Sequence, residues 1–306
     1  MGARGRDGRR TGTALVVGLL LVPTACSDGV PGPSSGPGTA VPDPGADLVV
    51  EVLQPRSAVA AGGMVLRVVP TGTTPLVVRG AALTGGPFVD GARWEADDGP
   101  RRVRPGRALQ LELGSPATGC PAASAGPVVA HLEVGGEGSD DAVAVDLVPG
   151  DPHDLLARTA ATACRAEEVA AVAAVRLDAV EPPAAAEDPA VVVVRVDPEP
   201  DGRGTLDVRA VGSTPLVSPV GPDGRPATTA PVGARVAAGD EPLLLRVPVV
   251  PTRCDAHALA EDKVGTLVPL EVAVDDGPAG RLLLPVTPDV TADLVGWVAR
   301  RCGLAG

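Results

Sequence analysis

Aromatic side chains are nearly missing from this chain. Its 306 residues hold no tyrosine, one phenylalanine (Phe88) and two tryptophans (Trp94 and Trp297). Ring platforms for stacking sugars or unpaired bases are therefore not to be expected. A core must be assembled from Val, Leu and Ala, each burying less area than an aromatic ring. Lysine is as scarce, with Lys263 alone, so positive charge here means arginine. There are three histidines and no C-x-x-C, H-E-x-x-H, G-x-S-x-G, phosphate-loop or calcium-loop pattern. A nucleophile–base–acid set is hard to assemble from that inventory, and no catalytic residue, metal ligand or cofactor is assigned. No apolar run approaches the ~20 residues of a membrane-spanning helix. The net charge is −12, which repels nucleic acid and anionic lipid surfaces, so a nucleic-acid partner is excluded.

The amino terminus sets the expected compartment. Arg4, Arg6, Arg9 and Arg10 precede a short apolar run, Ala14 to Val22. A basic start followed by a run too short to span a bilayer reads as a secretory signal, assigned to residues 1–25. Pro23-Thr24-Ala25-Cys26 ends it and resembles a bacterial lipobox, with Pro23 in place of the usual leucine. The resemblance implies diacylglycerol on the Cys26 thiol and a lipid anchor on the extracytoplasmic face of the cell membrane. Arg9-Arg10 is not followed by an apolar residue in Thr11-Gly12-Thr13, which favours general secretion over a twin-arginine route. Losing four arginines and one aspartate with the signal takes the net charge from −12 to −15. Residues 26–46, rich in Pro, Gly and Ser, are expected to form a tether reaching roughly 60 Å when extended.

The remainder contains an internal repeat. Leu66-Arg67-Val68 and Gly72-Thr73-Thr74-Pro75-Leu76-Val77 resemble Leu206-Asp207-Val208 and Gly212-Ser213-Thr214-Pro215-Leu216-Val217. Pro105-Gly106 before Leu109, Leu111 and Leu113 matches Ala238-Gly239 before Leu243, Leu245 and Val247. Leu132-Glu133-Val134 matches Leu270-Glu271-Val272, and Val143, Val145 and Leu147 match Leu282, Leu284 and Val286. These runs alternate with period two, so they read as half-buried strands between Gly/Pro turns. The predicted fold is all-β with short helices: two tandem immunoglobulin-like β-sandwich domains, with a small β-barrel as the alternative. Domain 1 is assigned to 47–164, a helix extension and linker to 165–189, and domain 2 to 190–306. Each domain should end in a short helix, one following the Asp151-Pro152 start signal and one running from Thr291, as N-cap, to Arg301. Four cysteines remain once Cys26 is set aside, and three pairings are possible. The repeat selects Cys120–Cys164 and Cys254–Cys302, each closing a loop worth about 4 kcal/mol by chain entropy.

The copies differ most after the first cysteine of each pair. Copy two reads Arg253-Cys254-Asp255-Ala256-His257-Ala258-Leu259-Ala260-Glu261-Asp262-Lys263-Val264-Gly265-Thr266, four residues longer than copy one before the matched strand. Asp255 is suited to cap a short helix ended by Gly265, with His257 and Glu261 on one face. The segment is similar to one in uncharacterised exported lipoproteins of actinobacteria, as is the Ala/Val/Gly/Pro/Arg-rich composition. That resemblance implies no known activity. Asp255, His257, Glu261, Asp262 and Lys263 form the candidate binding group, against the plainer reading of a cap with solvated ion pairs. His131, in a predicted strand, and His153, at a helix start, read as packing or surface residues. Arg101-Arg102-Val103-Arg104 beside Trp94 reads as a solvated hairpin tip. The function expected is that of an anchored binding or scaffolding module with an envelope protein partner. A metal-binding role for Asp255, His257 and Glu261, or hydrolysis of envelope material, are the alternatives.

Overall fold

In a computed structural model of the chain, the structure describes residues 47–59, 61–94, 99–121, 125–256, 259, 266–284 and 286–304. The expected signal peptide, Cys26 and the tether lie outside the described residues, as do His257, Glu261, Asp262 and Lys263. No described helix is long and apolar enough to cross a membrane.

Two β-sandwiches follow one another. The first opens with β1 (Leu48–Leu53), β2 (Val65–Pro70) and β3 (Leu76–Thr84). It continues through β4 (Ala92–Trp94), β5 (Arg101–Val103), β6 (Leu109–Glu112), β7 (Val129–Gly136) and β8 (Val143–Leu147). One sheet is ordered β1-β2-β6; the other is β4-β3-β7-β8, with β5 also on β3. Helix α1 (Leu155–Ala170) leads into the second sandwich. That sandwich contains β9 (Ala173–Glu181), β10 (Ala190–Pro198), β11 (Thr205–Gly212), β12 (Val217–Pro219) and β13 (Thr229–Ala237). After β14 (Leu243–Pro251), β15 (Pro269–Val274) and β16 (Gly280–Leu283), helix α2 (Pro288–Arg301) closes the chain. Its sheets are ordered β12-β14-β10-β9 and β13-β11-β15-β16, and every strand pair is antiparallel. The period-two pattern is visible in burial: along β14, Leu245, Val247 and Val249 face inward while Leu244, Arg246 and Pro248 face water.

The duplication is real but its register differs from the expectation at two points. By sheet position β1, β2 and β6 correspond to β9, β10 and β14, and β3, β7 and β8 to β11, β15 and β16. The matches at Leu109/Leu243 and Leu132/Leu270 therefore hold, but the next is two residues out: Leu132 pairs with Val145 and Leu270 with Leu282, so Val145 rather than Val143 is the counterpart of Leu282. The turns before β6 and β14 hold as well, where Gly106 and Gly239 both adopt positive φ, +67° and +82°. The first match does not hold. Leu66 lies on β2, whereas Leu206 lies on the counterpart of β3. The two Gly-x-Thr-Pro-Leu-Val segments end different strands, and their likeness is that of turn chemistry. A β-bulge shows the correct register. Val78-Arg79-Gly80 on β3 bulges opposite Glu133-Val134, and Val208-Arg209-Ala210 on β11 bulges opposite Glu271-Val272.

Four further expectations change. Residues 173–181, read as linker, form β9, which pairs along β10 with Val175 and Leu177 buried. The valine-alanine alternation of that stretch was masked by the alanine-rich helix before it. Arg101–Val103 is not a hairpin tip but β5, which pairs with Leu76–Val78 while β4 pairs with Ala81–Leu83. Together β4 and β5 occupy the place that β13 fills in the second copy. Helix α2 begins at Pro288 rather than Thr291, with Thr287 as N-cap accepting from the Val290 N–H at 3.4 Å. Proline at N1 has no N–H to leave orphaned, which explains the earlier start. Helix α1 starts at Leu155, after Asp154 at the N-cap position with φ +51°, four residues later than the Asp151 start; the Asp151 carboxylate accepts from the N–H groups of Leu155 and Leu156 at 2.6 and 2.8 Å.

Each sandwich has its own apolar core, one around Leu66, Leu83 and Leu132 and one around Leu206, Leu270 and Trp297. Disulfides Cys120–Cys164 and Cys254–Cys302 tie a loop to α1 and to the end of α2. Helix α1 joins the two cores. Leu155 in its first turn is buried in the first core and Val169 in its last turn is buried in the second.

Candidate functional site

The candidate group after Cys254 is described only in part. Asp255 lies beside Arg253, whose Nε donates to Asp255 Oδ2 at 2.7 Å. This hydrogen bond, with the carboxylate's charge, raises the Arg253 pKa. The Leu259 N–H donates to the Asp255 carbonyl at 3.2 Å. Leu259 packs against the second core. Among the described residues no group of three His, Cys, Asp or Glu side chains is placed to hold a metal ion.

His131 has more structure around it than a lone surface histidine. Its Nδ1 lies 2.7 Å from Asp146 Oδ1, and its Nε2 lies 2.7 Å from Thr84 Oγ1. Cross-strand register brings them together. Ala82, His131 and Asp146 are directly opposed on β3, β7 and β8, and Thr84 is two residues along the same face as Ala82. A carboxylate only accepts, so Nδ1–H donates to Asp146, and neutral His131 accepts the Thr84 hydroxyl proton at Nε2. This is the connectivity of a nucleophile–base–acid chain. It lies on the solvent face of the sheet, with the Asp146 side chain 66% exposed, and the cavities described below do not reach it. Without water exclusion or donors aimed at a developing oxyanion, the arrangement serves as a pair of cross-strand contacts.

The concave site lies elsewhere, between the two sandwiches. A cleft of about 930 Å³ has one face of α1 as its wall, through Leu155, Arg158, Thr159, Thr162 and Arg165. That spacing follows the helical repeat. The first sandwich contributes Gln54, Met64 and the stretch Ser115-Pro116. The second contributes Ser213-Thr214-Pro215, Leu267 and the Ala279–Arg281 corner of β16. A smaller hollow of about 310 Å³ adjoins it and shares Ser213 and Arg281. A volume of this size is in the range of small-molecule sites.

Arg165 holds the two sides of the cleft together. Its Nη2 donates to the Pro278 carbonyl at 3.0 Å, and its Nη1 pairs with Glu168 at 2.8 Å. The guanidinium lies directly over Gly280: a Cβ there would meet Arg165 Nε at 2.6 Å. Only glycine lets the arginine approach β16 this closely. The Arg165 side chain is 14% exposed, while Pro278 at the other end of the contact faces water. Thr214 shapes the opposite wall. It is buried, and its hydroxyl accepts from the N–H groups of Leu216 and Val217 at 3.1 and 2.9 Å.

No family model matches the chain. No curated protein matches it. Among solved structures it is similar to the YadV chaperone, at 12% identity over 78% of this chain and 100% of that one, TM-score 0.22. It is similar to calcium binding domain CBD12 of CALX1.1, at 13% identity over 76% and 79%, TM-score 0.20. It is similar also to the E. coli chaperone DraB, at 12% identity over 74% and 90%, TM-score 0.18. At such scores these likenesses carry no argument about what this chain does.

None of the cleft residues stood out in the sequence. They come from seven separated stretches of chain, and only the Arg158/Arg165 spacing on one helix face carried a local signal. Gly212-Ser213-Thr214-Pro215 was noticed, but as a repeat marker.

Proposed function

We propose that the chain is a lipid-anchored extracytoplasmic binding protein that holds its ligand in the cleft between its two sandwiches. The observation that carries the reading is a concave surface of about 930 Å³ whose walls come from both domains and from the helix that joins their cores. A tethered scaffold needs only outer surfaces. A cleft walled by a helix that is pinned by Cys164 and clamped by Arg165 is pre-shaped, and binding there costs little ordering. Acylation at Cys26 and the Pro/Gly-rich segment after it would hold the cleft in the aqueous layer outside the membrane.

The cleft is tested by filling it. Ala161 is exposed on the cleft wall of α1, so Ala161→Trp adds bulk there without opening a core. The expected result is that small molecules extracted from the cell envelope raise the melting temperature of the wild-type chain but not of Ala161→Trp. Equal responses from both would refute the cleft as the binding site. Anchoring is read separately: metabolic labelling with a clickable palmitate analogue should mark the wild-type chain and not Cys26→Ser.

A further inference from the structure

The cleft lining has an unusual charge for this protein. The whole chain carries −12, yet the charged side chains lining the cleft are Arg158, Arg165 and Arg281, with no Asp or Glu among them. Arg165 is neutralised by Glu168 and also donates to the Pro278 carbonyl. Arg158 is not: its Nη1 donates to the His153 carbonyl, a neutral partner. Arg281 is exposed and stands at the other end of the cleft, next to the Gly280 that lies under Arg165. Its cross-strand neighbour Glu271 lines the adjoining hollow. The remaining hydrogen-bonding groups are the hydroxyls of Ser115, Thr159, Thr162 and Ser213. Between them the surface is apolar, through Met64, Pro116, Leu155, Pro215, Leu267 and Leu283. Leu283 is 37% exposed and Leu155 is buried, so part of this apolar surface is open to an occupant.

We infer that the cleft takes an amphipathic anion: a phosphate or carboxylate headgroup bound by Arg158, with an apolar chain along the helix wall toward Arg165. This rests on the cleft being the binding site and adds the class of ligand. Guanidinium groups match the planar oxygen pairs of both headgroups. Arg158 and Arg165 are seven residues apart, about 10 Å along the helix, enough to separate a head from several methylenes of a tail. Every methylene buried adds to the affinity, so a chain of ten or more carbons would supply most of it and Arg158 the selectivity. The acidic exterior disfavours docking onto an anionic bilayer surface. A single molecule taken into the cleft therefore fits better than a membrane patch bound from outside.

The test uses the full chain carrying Cys26→Ser, so that its own lipid cannot compete. Dodecyl phosphate, dodecanoate, dodecyl maltoside and dodecyltrimethylammonium are titrated below their micelle concentrations and followed by calorimetry. Both anions are expected to bind at least tenfold more tightly than the neutral and cationic amphiphiles. The substitution Arg158→Ala should remove that preference, a loss of about tenfold or more. Arg225→Ala, at a remote exposed turn, removes the same unit of charge and should leave the preference intact. Matching melting temperatures for all variants separate binding from folding. Equal binding of the four amphiphiles would overturn the anion assignment while leaving the cleft as an apolar site. Binding of none would overturn the cleft itself. Sedimentation with phosphatidylglycerol vesicles without capture of the monomeric anions would also overturn the proposal, since a bilayer surface would then be the partner.

Discussion

Substituting Gly280 by alanine should uncouple the two sandwiches without disturbing either core. The added Cβ would stand 2.6 Å from Arg165 Nε and 2.8 Å from its Nη2, far inside contact distance. The atoms in the way are the end of a side chain, so the guanidinium swings aside and the β16 backbone stays in place. What is lost is the charged hydrogen bond to the Pro278 carbonyl. Arg165 is 14% exposed but the Pro278 end faces water, so such a bond is worth about 1–2 kcal/mol. Alanine's better strand propensity than glycine's returns a few tenths. The net expectation is a loss of about 1–2 kcal/mol, read as a fall of roughly 2–6 °C in the thermal midpoint. The decisive assay is a double-mutant cycle with Arg165→Ala. If both substitutions break one contact, the double variant should be barely less stable than either single one, with a coupling energy near the single-variant loss. Additive losses would refute the clamp, showing that Gly280 and Arg165 act on different parts of the structure. A stabilising Gly280→Ala would refute it as well.

Other consequences can be read from the same structure. Non-reducing peptide mapping should recover Cys120–Cys164 and Cys254–Cys302. Replacing either pair by alanine should cost about 4 kcal/mol from loops of 44 and 48 residues, and a bridge between the sandwiches would refute the duplication. Asp197 should contribute to acid sensitivity. Its hydrogen bond from Arg176 at 2.5 Å, reinforced by Arg195 at 2.7 Å, lowers its pKa. A lowered carboxylate pKa stabilises the fold above the unfolded-state value of about 3.9 and stops doing so as pH falls through the folded-state value. Asp197→Asn should therefore melt below the wild type at neutral pH, and the two curves should converge below about pH 4. A constant gap across that range would show that the carboxylate's charge is not what matters.

Strand rhythm was legible because it is local. Alternation along Leu243, Leu245 and Val247 follows from the two-residue period of an extended chain, whatever the strand pairs with. The helix starts were half legible: Asp151 holds the first-turn N–H groups of α1, but the helix begins at Leu155 after Asp154, and the Pro288 start was overlooked in favour of Thr291. The strand at 173–181 was lost because alanine and valine fit either helix or sheet, and only pairing with β10 decides between them. The His131 contacts to Thr84 and Asp146 depend on three strands meeting in register, which no residue spacing encodes.

By itself the sequence determined the class of fold, the duplication and the cysteine pairing. Each follows from short-range periodicity or from comparing one half of the chain with the other. Tertiary structure decided the true register of the copies, where the bulges at Val78 and Val208 rather than the turn segments are equivalent. It alone decided the cleft. That site exists because α1 places Leu155 in one core and Val169 in the other, bringing Arg158 and Arg281 to one concavity. Burial of a helix's two ends in separate cores is a long-range packing outcome, and a linear pattern of residues carries no record of it.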